Sequence, residues 1–120
     1  MKNNMISVLD CTLRDGGYVN NWEFSTENTK EIIKSLINAK VEIVECGFLS
    51  QKRGKEKDST QFININQVND LLNSLKTDLS DTHFCVMINK GDYDLNDLLI
   101  YNPKTDNVGI RYAFHKKDWR

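Results

Sequence analysis

The stretch VEIVECGF, residues 41–48, is eight residues long, rich in β-branched side chains and closed by a glycine and an aromatic. Its length and composition read as a buried strand and not as a helix. Three further runs share that character: MISVLDC at 5–11, HFCVMIN at 83–89 and VGIRYAF at 108–114. Glycines follow close behind, at Gly16-Gly17, Gly47 and Gly91.

Helical patterns fill the gaps. Ser25 or Thr26 can cap a helix with Glu27 in its first turn, and Ile32, Ile33, Leu36 and Ile37 make one apolar stripe. Val68, Leu71, Leu72 and Leu75 make a second. Leu95, Leu98 and Leu99 suggest a third, shorter helix that ends before Pro103. The order β-α-β-α-β-α-β predicts an α/β fold with a parallel sheet and right-handed crossovers.

Parallel strands deliver their C-terminal ends to the loops where ligands bind. The first strand runs into Arg14 and Asp15. Glu45 is read as closing the second, Asn89 the third and Arg111 the fourth. Strand alternation that turns Glu45 inward sends Val44 and Cys46 towards the helices. It also leaves Glu42 at an exposed strand start. A buried carboxylate requires a cation or donors, and Arg14 is the nearest candidate in the pattern. From the residues alone, Arg14 and Asp15 also read as a local ion pair capping the Gly16-Gly17 turn. Glu45 also reads as a solvated strand end. Tyr18 and Trp22 read as a packing turn over the mouth of the sheet as readily as a site.

The 120 residues suffice for one domain, 1–120, with a modest core. A formal charge of −1 with 28% charged residues gives no basic excess for nucleic acid. No apolar run approaches the ~20 residues of a membrane span, and MKNNMISV has no secretory apolar core. Cys11, Cys46 and Cys85 are odd in number and form no CxxC pair, which predicts reduced, mostly buried thiols and a cytoplasmic protein. The segment SQKRGKEKDS at 50–59 reads as a solvated loop, or as a charged lure for an acidic substrate on the rim.

DCTLRDGGYVNNW taken with VEIVECGF resembles the Asp-Arg-Glu TIM-barrel metallolyases, a superfamily of metal-dependent aldolases and lyases. Its members include hydroxymethylglutaryl-CoA lyase, the isopropylmalate and homocitrate synthases and 4-hydroxy-2-oxovalerate aldolase. VGIRYAFHK resembles the fourth strand of the aldolase-type members. The resemblance implies the N-terminal half of a TIM (β/α)8 barrel, whose whole length is roughly 250 residues. It implies Asp15 as a ligand of a divalent ion such as manganese, magnesium, cobalt or zinc. Arg14 would stabilise an enolate, and Glu45 would be the carboxylate that orients Arg14. The substrate implied is a small 2-oxo acid, with Arg111 and Asn89 as substrate-binding candidates.

This chain departs from the family at two points. Tyr18 stands where the oxovalerate aldolases have a catalytic histidine, so it becomes the acid/base or hydrogen-bonding candidate. The family's His-x-His pair has no counterpart, the two histidines being His83 and His115. A half barrel leaves both sheet edges unpaired, which predicts self-association or a complementary C-terminal half. Two other readings of the same pattern are a catalytically inactive assembly module and a small flavodoxin-like ligand-binding domain.

Overall fold

A computed structural model describes residues 5–98, 102 and 106–118. Five strands and two helices follow one another as β1 (Leu9–Asp10), α1 (Thr26–Asn38), β2 (Ile43–Leu49), β3 (Gln61–Phe62), α2 (Ile65–Ser74), β4 (His83–Asn89) and β5 (Val108–Ala113). All strand pairings are parallel, and the sheet order is β1-β2-β4-β5. The protein is therefore an α/β structure in which β1, β2, β4 and β5 lie side by side in chain order. The short β3 pairs with Phe48 and Leu49 of β2, while β1 pairs with Ile43 and Val44. Because β4 runs along the other side of β2, β1 and β3 share one edge of that strand in succession.

Both helices form where capping and an apolar stripe agree. Ser25 accepts a hydrogen bond from the Asn28 backbone N–H (3.1 Å), and Glu27 complements the positive helix start. Asn64 and Gln67 form a reciprocal capping box at the start of α2. The stripes close over one face of the sheet. Ile33, Val68 and Leu72 are buried there with Val44, Cys46 and Leu49 of β2 and Phe84, Val86 and Ile88 of β4. Truncating one such side chain to alanine costs roughly 2–5 kcal/mol.

Several expectations from the sequence are corrected. The first strand shrinks from 5–11 to Leu9–Asp10, and Met5, Ile6 and Val8 are exposed. It lies at a sheet edge with β2 as its one partner, so its early residues bury little. The third helix reduces to a 3-10 turn at Leu95–Asp97 capped by Asp94; Leu99 and Pro103 lie outside the described residues. Glu45 and Arg111 sit inside β2 and β5, not at their ends. Glu42 accepts from the Val8 backbone N–H (3.0 Å), which explains a charge at the strand's start. Among the described residues no helix is long and apolar enough to cross a membrane.

Gly47 changes the alternation of β2. The register with β4 slips between Glu45 and Phe48, a one-residue bulge. Gly47 adopts φ +152°, and a Cβ there would lie 2.0 Å from the Thr60 carbonyl oxygen. The bulge returns Phe48 to the face that carries Glu45, opposite the helices, and puts Leu49 into the core.

Candidate functional site

Glu45 is fully buried on the sheet face away from the helices, a costly place for a carboxylate unless cations meet it. Two do. Arg14, from the loop after β1, donates through Nε to Glu45 Oε1 at 2.5 Å. Arg111, from β5, donates through Nη1 to Glu45 Oε2 at 2.6 Å. The Cys85 thiol lies 3.9 Å from the same Oε2. Glu45, Cys85 and Gly109 occupy one rung of the sheet, and Met87 and Arg111 the next. Arg111 thus reaches across β4, about 10 Å at two strand spacings, to meet Glu45.

Arg14 joins the buried charge to an exposed one. Its Nη1 donates to Asp15 Oδ1 at 3.1 Å, and the Asp15 side chain is 62% exposed against 16% for Arg14. The guanidinium also lies over the Phe48 ring, 5.9 Å from its centroid. Burial alone would disfavour the Arg14 cation. The hydrogen bond and charge of Glu45, with smaller help from Cys11 and Asp15, outweigh it and raise the Arg14 pKa above the ordinary arginine value. Burial and then the Glu45 charge push the Cys85 thiol up to about 11. Burial pushes Cys46 up as well. Both are neutral thiols at physiological pH and do not act as nucleophiles there.

The loop that carries Arg14 and Asp15 is fixed from behind. The Thr60 hydroxyl donates to the Leu13 carbonyl (2.7 Å), and Trp22 Nε1 donates to the Arg14 carbonyl (2.6 Å). The Thr60 N–H in turn donates to the Trp22 carbonyl, and the Phe48 N–H to the Thr60 carbonyl. Asn21 and Trp22 are both left-handed, φ +56° each, a conformation non-glycine residues adopt only when surrounding bonds hold it. Trp22 presses onto Gly17, where a Cβ would lie 1.9 Å from the indole. The Arg14 carbonyl is thereby held from within its own loop, the Leu13 carbonyl beside it by Thr60, and the Arg14 side chain by Glu45 of β2.

The structure brings Arg14, Asp15, Glu45 and Arg111 together. The other sequence candidates stay outside the hydrogen bonds of this cluster. Tyr18 is exposed and packs edge-on against Trp22, ring centroids 4.6 Å apart, as the packing-turn reading expects. Asn89 ends β4, half-buried, on the alternation that carries Cys85 and Met87. His83 begins β4, at the opposite end of that strand. The segment 50–59 is bound down: Gln51 Nε2 donates to Asp97 (2.7 Å), Arg53 pairs with Asp92, and Gln67 holds the Lys55 and Glu56 carbonyls. Phe48, Trp22 as an anchor of Arg14, and Thr60 were not singled out from the sequence. Gly47 inside a strand pattern is the one signal that pointed towards Phe48.

A divalent ion finds one ligand here. Asp15 is exposed and shares a single oxygen with Arg14. Both oxygens of Asp10 are taken by Thr12, at 3.0 Å each. Among the described residues no group of three or more His, Cys, Asp or Glu side chains is placed to hold a metal. These residues do not by themselves complete a metal site. What the arrangement offers unaided is a rigid guanidinium pair around a buried carboxylate. Compared with models of known families, with curated proteins and with solved structures, the chain matches none.

Proposed function

We propose that the chain is the N-terminal portion of a TIM-barrel metal-dependent aldolase or lyase that makes or breaks a C–C bond beside a 2-oxo acid through an enolate. The observation that carries this reading is Arg14 held between buried Glu45 and exposed Asp15 at the rim of a parallel sheet. Glu45 fixes the plane of the guanidinium and spends only Nε on doing so. Nη1 donates to Asp15, and the remaining guanidinium N–H groups are the donors this reading assigns to a developing oxyanion. Asp15 is the one metal ligand these residues would supply in this reading. Tyr18, on the same loop, takes the acid/base position in this reading. The side-by-side strand order supports a barrel segment, because a flavodoxin-like sheet reverses direction at a switch point.

The test is exchange of pyruvate methyl protons in D2O, followed by NMR, with the full-length gene product and added divalent ion. Exchange is expected, lost in Asp15→Asn and reduced by about 10²–10³ in Arg14→Ala. Undiminished, metal-independent exchange in Asp15→Asn overturns the reading.

A second reading has its own observation. Ile110, Tyr112 and Phe114 on and just after the outer strand β5 are exposed, as are Met5, Ile6 and Val8 beside β1. Such edges suit a half barrel that assembles with a complementary half or a second copy. Light scattering that shows a stable, well-folded monomer opposes it.

A further inference from the structure

We propose that Arg111 is the anchor of a small carboxylate ligand, a recognition site that operates without any metal. The inference deepens the 2-oxo acid reading by assigning the ligand's carboxylate to β5, and it rests on that reading only for the ligand's identity.

Three observations point to it. The first is charge. Glu45 supplies one buried negative charge to two guanidiniums, and Asp15, which offsets Arg14, is largely in water. The four charges balance, but Asp15 lies against Arg14, so among the described ion pairs Arg111 has only Glu45, which it shares with a second cation.

The second is unused donor capacity. Arg111 commits Nη1 to Glu45, and its side chain is 45% exposed. A guanidinium has five N–H donors in a planar fork, so a free edge remains that matches a carboxylate in bidentate fashion. The Glu45 contact keeps the long side chain from swinging, which lowers the entropy lost on binding.

The third is shape. Gly109, two residues before Arg111 on the same strand, leaves that part of the sheet open: a Cβ there would meet nothing closer than the Phe84 carbonyl oxygen at 3.7 Å. Cys85 contributes a neutral thiol and no competing charge beside it. Apart from the Glu45 carboxylate, which is spent on the two arginines, the neighbouring residues Cys85, Met87 and Gly109 carry no charge. A compact, planar dianion or 2-oxo acid fits that description better than a phosphate. A phosphate calls for a wider set of donors, such as the backbone amides of a glycine-rich loop, which this sequence lacks.

The experiment titrates oxalate, in EDTA, into the 15N-labelled chain and reads the arginine Nε–Hε resonances. Saturable shifts of Arg111 and Arg14 are expected, weakening as salt is raised. Arg111→Gln should lose affinity by about tenfold or more, the size of a lost charged hydrogen bond. Arg111→Lys should recover part of it, and Arg53→Gln, outside the site, should change nothing. Absence of saturation in the wild-type chain overturns the proposal. So does unchanged affinity in folded Arg111→Gln, or equal binding of sulfate and oxalate, which would mark a nonspecific charge effect. Because EDTA removes divalent ions, failure of the aldolase reading leaves this result standing, and the reverse also holds.

Discussion

Neutralising Glu45 should do more damage than its size suggests. In Glu45→Gln the shape is nearly kept, but the Arg14 guanidinium, 16% exposed, loses its buried counter-charge. The new amide can offer its oxygen to one arginine; its NH2 then faces the other, donor against donor. Breaking a buried pair costs about 3–5 kcal/mol. Arg111 softens this, because at 45% exposure it can turn into water, and an exposed pair contributes only about 0–1 kcal/mol. The loss should therefore fall near 3 kcal/mol and come mainly from Arg14. With a urea slope of about 1.5 kcal/mol/M, the unfolding midpoint drops by about 2 M at unchanged slope. Arg111→Gln should cost about 1 kcal/mol or less in the same assay. Glu45→Leu combined with Arg14→Met should recover most of the loss, since an apolar pair carries no desolvation penalty. A loss under about 1 kcal/mol for Glu45→Gln would refute the reasoning. An Arg111→Gln penalty as large as that of Glu45→Gln would do the same.

Two further outcomes follow from the surroundings of the site. Gly47→Ala puts a methyl group 2.0 Å from the Thr60 carbonyl at φ +152°, so it should destabilise by about 2–3 kcal/mol or more in denaturant unfolding and displace the Arg14 loop through Thr60. With a thiol reagent near pH 8, half-exposed Cys11 should react promptly while Cys46 and Cys85 react only as fast as the chain opens. The Cys85 pKa is raised on folding, so the folded chain keeps a proton that the unfolded chain releases. That contribution to stability is intact below the ordinary thiol pKa and is lost as pH rises through about 11.

Local patterns in the chain sufficed for much of the scaffold. β4 occupies 83–89, as its apolar run indicates, and β2 and β5 lie within a residue or two of theirs. The Ser25 cap and the Ile33 stripe mark α1, and Val68 and Leu72 mark α2. Strand and helix periods are written in neighbouring residues, and burying one face is what those periods are for. Glu45 stood out for a related reason, as a charge set into an apolar run, and Arg14 and Asp15 as polar groups just past the end of one. Tertiary structure alone decided the rest. A two-residue strand such as β3 has no period to detect. The bulge at Gly47 that turns Phe48 towards Arg14 exists only against the register of β4. The bonds that make the site join residues 31, 47 and 66 positions apart, Arg14 to Glu45, Leu13 to Thr60 and Glu45 to Arg111. Periodicity tells which way a side chain points from its own strand; which distant charge it meets depends on strand order, and that is settled only when the sheet assembles.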